Sequence, residues 1–536
     1  MTSPRFRVLI ADELSPRATE ILKSHPDIDV RTATGLAPAA LIRALSEDGG
    51  VHALAVRSAT KVTAEVIEGA PALRVVGRAG IGVDNIDVKA ASRRGIVVMN
   101  TPSGNAVTTA EHAICLMAAL VRHIPQATAS MKAGKWEKKK FQGNELCDKT
   151  LGLLGLGNIG RIVADRAQGL KMKVIAHDPV LTAEAAARLG VRLLPFEEVL
   201  RQADVISVHT PLLPETRNLI DAAAFAKMKR GVFLINAARG GIVDEMALVE
   251  ALRSGQVAGA ALDVFSEEPP PKDHPLLQME QVIVTPHLGA STDEAQEKVA
   301  VELAEQLVAI LVRGEVKNAV NLPPLPVELQ ARLQPYLELA ARLGSAAAQL
   351  CSGIDSVNVE LVGEVADAGS SLLASTAVAG ILRPHLDTPV TAVNAMLLAE
   401  ERGIRVSETK QSRGGDFTSS IALRLDGRCG VRVLKGTVFR TDGGLEPRLV
   451  QIDNFLLEAI PEGRILVIRN DDRPGVIGAV GTILGRRGLN VSRMQVGLDR
   501  QTGEALQLWN IDGDVAAALD EIRTQAHVRS ALVVTL

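Results

Sequence analysis

Aromatic side chains are nearly absent from this 536-residue chain, at 2% of the total. Its cores must therefore be aliphatic, and the stacking platforms that grip single-stranded nucleic acid are scarce. Cysteine is equally sparse: Cys115, Cys147, Cys351 and Cys429 stand apart with no C-x-x-C spacing. That scatter argues against a disulfide framework or a zinc site and fits a reducing compartment. Cys115, in an apolar helical run, reads as core. No excess of one charge exists either. A formal net charge of -3 provides no global field toward nucleic acid or an anionic membrane. The apolar run at 113–121 is bounded by Glu111 and Arg122, too short to span a bilayer. Asp12 and Glu13 interrupt the first apolar run too early for a signal peptide. Repeats and low-complexity tracts are lacking. These absences predict a soluble, cytoplasmic protein, and the length predicts several domains.

What is present is a long α/β alternation. FRVLIADELS reads as a strand running into a helix start, and strands recur in VHALAVRSAT and LRVVGRAGIGVDNID. A helix is expected over about 105–124, apolar at Ile114, Met117, Ala118 and Val121, as a spine between domains. The segment LGLLGLGNIGRIVADRAQGLKMKVIAHDP then places G-x-G-x-x-G, at Gly155, Gly157 and Gly160, between a buried strand and a helix. Gly155 allows the tight turn, Gly157 lets a pyrophosphate approach the backbone, and Gly160 lets helix and strand pack. Asn158 and Ile159 open that helix, whose positive N-terminus suits phosphate. Asp178 ends the second strand, where a carboxylate binds ribose hydroxyls and repels a 2′-phosphate; the cofactor expected is NAD. The alternation continues through ADVISVHTPL, GVFLINAARG, VAGAALDVF and QVIVTPHLGA, then a helix over 294–312. Pro323, Pro324 and Pro326 mark a linker at 321–329. Residues 330–455 begin helically and turn to strands, and 463–536 read β-α-β-β-α-β, a ferredoxin-like pattern.

Three chemistry-bearing residues sit at strand ends, where open α/β sheets place ligands. Arg239, in FLINAARGG, can fork onto a carboxylate and polarise a neighbouring carbonyl. His287, in VTPHLGA, can take a hydroxyl proton while hydride leaves the carbon. Glu268, in SEEPP, raises the histidine pKa and fixes its tautomer if it hydrogen-bonds the ring; Glu267 is the adjacent alternative. In WEKKKF, Lys138, Lys139 and Lys140 form either a solvated face or a phosphate-collecting run near the cleft, and Trp136 is a candidate subunit anchor.

In their shared order, NAARGG, DVFSEEP and TPHLGAST resemble the motifs of the NAD-dependent D-2-hydroxyacid dehydrogenases. The resemblance implies a catalytic trio of Arg239, Glu268 and His287. It also puts Thr210, in VHTPLLPET, beside the cofactor, Ala237 and Ala238 along its pocket, and Asp263 near the nicotinamide carboxamide. AVRSAT and VGRAGIGVDNID resemble the substrate-domain signatures of the branch that oxidises D-3-phosphoglycerate to 3-phosphohydroxypyruvate. They imply that Arg57, Ser58, Gly80, Arg239 and His287 meet the substrate. The architecture implied is a Rossmann domain (101–287) inserted in a flavodoxin-like substrate domain (1–100 and 288–320). An α+β intervening domain (330–455) and a ferredoxin-like ACT domain (463–536) follow. RNDDRPGVIGAVGTILGRRGLNVSRM resembles the ACT signature, implying an L-serine effector at Asp472 and Asn490 between paired ACT units of a homo-oligomer, or an ACT pair that only assembles subunits. No metal is expected. A glyoxylate or hydroxypyruvate reductase and an NADH-sensing corepressor remain the alternative readings of this fold.

Overall fold

Short aliphatic runs without polar alternation, such as VISV, form strands buried on both faces, as parallel sheets require. A computed structural model describes residues 6–102, 104–323, 327–367, 369–386, 389–412, 416–428, 430–442 and 444–536. The first lobe carries β1 (Phe6–Ile10), β2 (Ile28–Thr32), β3 (Ala53–Val56), β4 (Val75–Arg78) and β5 (Val97–Met99). They pair in parallel in the order β2-β1-β3-β4-β5, the flavodoxin-like arrangement.

The second lobe carries β6 (Thr150–Leu154), β7 (Lys173–His177), β8 (Arg192–Leu193), β9 (Val205–Val208), β10 (Val232–Asn236), β11 (Val257–Leu262) and β12 (Val282–Val284). Their parallel order, β12-β11-β10-β9-β6-β7-β8, reverses between β6 and β9. Ligands of doubly wound sheets bind at such a switch point.

After β12 the chain returns to the first lobe. Helix Asp293–Val308 lays Val299, Ala300, Leu303, Ala304 and Leu307 into the core beneath β1, β3 and β4. Ala319 then bridges Met99, and the Asn321 side chain accepts from Val98 N and donates to Ile96 O. The segment read as a linker thus starts anchored, and helix Val327–Leu350 begins before it was expected to end. Pro324 and Pro326 lie outside the described residues.

The expected spine helix is Ala106–Val121; its apolar face packs on the second lobe, and Thr108 Oγ1 meets Thr292 Oγ1 at the head of the helix that returns to the first lobe. Its buried stripe is Ala110, Ala113, Met117 and Leu120, whereas Ile114 and Ala118 are half-buried. That rotation leaves Cys115 exposed instead of in the core. Cys351 is disulfide-bonded, against the expectation drawn from cysteine spacing.

Beyond the lobes, helices Val327–Leu350 and Ser370–Leu382 cover a six-stranded sheet. Two of its strands, Arg405–Gln411 and Ser420–Gly427, are additions to the strands read from sequence. The last unit is a sheet in the order Asn490–Asp499, Glu504–Asp512, Arg464–Asp471, Val528–Thr535, with helices Val476–Arg486 and Ala516–Arg523 on one face. That is the ferredoxin-like arrangement. Its other face is covered at the central strands: Ile465, Val467, Leu506, Leu508 and Val534 join Leu339 and Leu343 of the long helix in one core. Each fully buried aliphatic side chain there is worth about 1.5–3 kcal/mol. Gln349 adds a matched pair of hydrogen bonds to the Thr535 backbone, both 2.9 Å.

Candidate active site

The glycine turn joins β6 to helix Asn158–Gly169 at the switch point. Gly155 has φ +97°, and a Cβ there would stand 2.6 Å from His209 O. A Cβ on Gly160 would collide with Gly155 O, whereas nothing lies within 4 Å of the same position on Gly157. The helix N-terminus is thus open where a pyrophosphate needs to approach. Asn158 is exposed at the helix start, and Ile159 is half-buried against the second-lobe core.

Asp178 is set by backbone donors: Leu156 N donates to one carboxylate oxygen, and Val180 N and Leu181 N to the other. Burial pushes its pKa up, but these three N–H groups win and hold it below the usual aspartate value. On the other side of the turn Thr210 Oγ1 is buried without a partner, and so is Nδ1 of the adjacent His209. Burial lowers the His209 pKa to about 4, so the ring is neutral. Ala237 and Ala238 are buried at the end of β10. An open glycine cradle, a fixed anion and an orphaned hydroxyl fit NAD.

Glu268 and His287 meet beyond the ends of β11 and β12. Glu268 Oε2 lies 2.7 Å from His287 Nδ1, and its Oε1 accepts from Phe265 N at 3.1 Å. Burial raises the Glu268 pKa, but the bonds to His287 and Phe265 outweigh it and keep the group anionic. His287 adopts φ +56°, a strained conformation for a residue with a side chain. Asp263 holds it there. Its backbone oxygen accepts from His287 N, and its carboxylate accepts from Leu288 N, Gly289 N and Thr285 Oγ1. His112 Nε2, from the helix Ala106–Val121, lies 3.2 Å away. Expected beside the nicotinamide, the Asp263 side chain is 1% exposed and occupied by the loop it braces.

Arg239 follows β10 and crosses to the first lobe, where its Nε donates to Asp84 Oδ2 at 2.9 Å. Nη1 donates to Ala238 O. Arg78, at the end of β4, donates to Arg57 O and Gly82 O. Burial, then Arg239 close by, depress its pKa to about 10. Arg57 is fixed through its own N–H to Asp12 Oδ2, while Ser58 is exposed. Three guanidinium groups thus converge on one cleft, a strong field for a multiply charged anion. Arg78 and Asp84 were missed as site residues, although both lie inside the motif VGRAGIGVDNID. Gly80, expected to meet substrate, has its N–H taken by Thr101 Oγ1 at 2.7 Å.

The lysine run is elsewhere. Lys140 pairs with Glu280, before the amino end of β12 and so away from the rim that carries His287. Asp472 is exposed at the head of the ACT helix, and the Asn490 amide donates to Asp512 at 2.9 Å.

Residues 114–289 match the profile of the D-isomer specific 2-hydroxyacid dehydrogenase NAD binding domain. Among solved structures, a glyoxylate reductase from Paecilomyes thermophila is 32% identical, with a TM-score of 0.55 over 60% of this chain and 99% of that one. D-Lactate dehydrogenase from Aquifex aeolicus, complexed with NAD and lactic acid, is 27% identical, with a TM-score of 0.52 over 59% and 100%. The protein is thus an NAD-binding oxidoreductase of the D-2-hydroxyacid class.

Both of those structures stop short of the last two units. Residues 332–453 match the D-3-phosphoglycerate dehydrogenase intervening domain, and 464–522 an ACT domain. D-3-Phosphoglycerate dehydrogenase of Synechocystis is 42% identical over 99% of this chain and 95% of its own length. The Methanocaldococcus jannaschii enzyme is 41% identical over 99% and 100%. This chain belongs to the D-3-phosphoglycerate dehydrogenase family.

Proposed function

We propose that this chain oxidises the C2 hydroxyl of D-3-phosphoglycerate, giving 3-phosphohydroxypyruvate. The observation that carries the reading is the 2.7 Å Glu268–His287 contact at the rim shared with Arg239. Asp178, Thr210 and the turn at Gly155, Gly157 and Gly160 would hold NAD, which when bound takes up the hydride leaving C2. With Nδ1 held by Glu268, Nε2 of His287 is the nitrogen left to receive the hydroxyl proton, and it returns that proton in reverse. Arg239 forks onto the carboxylate and polarises the C2–O bond. Arg57 and Arg78 attract the phosphate.

The test is NADH formation by the full chain with D-3-phosphoglycerate, D-glycerate and D-lactate in parallel. A kcat/KM dominated by the phosphorylated acid supports the reading, and equal values for the three acids reject it.

The same reading makes the chain a homo-oligomer, with Trp136, 79% exposed, as a subunit anchor. It also places L-serine between ACT units at Asp472 and Asn490, where the ligand would replace Asp512 on the Asn490 amide. Serine inhibition lost in Asn490→Ala would support the assignment; inhibition unchanged by it would remove the site.

A further inference from the structure

The Asp84–Arg239 contact joins the two lobes across the cleft, yet Arg239 is the group proposed to grip the substrate carboxylate. Asp84 belongs to the loop after β4 and Arg239 to the loop after β10. Their sheets come from different lobes, and the apolar cores of those lobes share no residue. The approach is built in. A Cβ on Gly82 would collide with Arg239 Nη2 and stand 2.6 Å from Asp84 Oδ2, so a larger residue there would push both side chains aside. Asn85, next to Asp84, fixes the loop by donating to Arg57 O and Thr60 O at 2.7 and 2.6 Å. Ala238 O takes Nη1. The Nε side of the guanidinium, one half of the edge that forks onto a carboxylate, is occupied by Asp84.

We propose that Asp84 is a built-in surrogate for the substrate carboxylate. It caps Arg239 and gives way when the 2-hydroxyacid arrives. Two carboxylates cannot share one guanidinium edge without repelling each other, so the substrate must break the internal pair to bind. The pair also holds Arg239 in the cleft against the repulsion of the neighbouring Arg78 guanidinium. Asp84 is 57% exposed and Arg239 26%, so the pair is weak enough to exchange. Asp84 is thereby a positioning residue that sets substrate affinity, an inference that rests on the role of Arg239 proposed above.

The experiment is steady-state kinetics of the full-length Asp84→Asn and Asp84→Glu variants with D-3-phosphoglycerate and NAD. Exposed ion pairs of this kind have small energies, so the KM for the acid should fall about two- to fivefold in Asp84→Asn. The KM for NAD should stay unchanged, and Asp84→Glu should keep the parental value. Asp84→Ala should move the same way as Asp84→Asn, which covers an asparagine variant that fails to fold. An acid KM that is unchanged or raised in both neutral variants overturns the inference. Arg239→Ala separates the failures. If it retains turnover, the parent reading falls and takes this one with it. If it abolishes turnover while the Asp84→Asn KM is unmoved, only the surrogate carboxylate is lost.

Discussion

Two of the junctions between units are made of opposite materials. Between the catalytic lobes the aliphatic cores stay separate, and the cleft is crossed by an ion pair between Asp84 and Arg239. Between the intervening unit and the ACT sheet, Leu339, Leu343, Leu506 and Leu508 form one continuous core. Exposed ion pairs contribute about 0–1 kcal/mol and exchange partners readily. Buried leucines resist separation at about 2–5 kcal/mol each when truncated. A cleft that must admit and release an anion is joined by the weak material, and the regulatory end by the strong one. An effector at the ACT helices would therefore move the intervening unit with it as one body.

Of the two junctions, the polar one should show the larger effect. Arg239→Lys keeps the charge but loses the planar fork, and kcat/KM should fall roughly 10²–10³-fold; the NADH assay reads it directly. A smaller loss would mean that the fork is not used. The apolar junction is challenged by Leu508→Ala, which should cost about 2–5 kcal/mol. Calorimetry should show the intervening and ACT units melting earlier together while the catalytic lobes keep their transition. Separate shifts of those two units would dissolve the shared core.

What is legible along the chain and what is not follow the same division. The glycine turn and Asp178 are legible because a dinucleotide needs them close along the chain. Arg239, Glu268 and His287 are legible as strand-end residues in a fixed order. Arg78 and Asp84 are not, because the bond of Asp84 and the charge of Arg78 reach Arg239 from a separate sheet and no local spacing announces them. The family resemblance puts Asp263 near the nicotinamide, but it does not announce that the same carboxylate accepts from Leu288 N, Gly289 N and Thr285 Oγ1 and braces the turn at His287. The shared core was hidden for a simpler reason: alternation in a strand tells which face is apolar, not what covers it.

Two further predictions sharpen the comparison at lower amplitude. Asp178→Ala removes a carboxylate fixed by three backbone donors, and NAD should bind about tenfold or more weakly, as for loss of a charged hydrogen-bond partner. NADP should gain relative to NAD, and fluorescence titration with the two reduced cofactors checks both. Asp263 supplies the pH test. Burial pushes its pKa up, but bonds from His112, Thr285 and Leu288 bring it below the usual aspartate value. A depressed carboxyl stabilises the fold fully above its unfolded pKa and loses that contribution as pH falls through the lower folded value. Melting temperature against pH should therefore drop below about pH 4 in the parent chain, and Asp263→Asn should be less stable at neutral pH with a shallower acid limb. Parallel curves would show that Asp263 braces nothing.

His287, tied to Glu268, should move the proton while the cofactor is held elsewhere. The decisive variant is His287→Ala, with turnover and NADH dissociation measured on the same preparation. Turnover should fall roughly 10²–10⁴-fold with NADH binding unchanged; equal losses in both would take the proton-transfer role from His287.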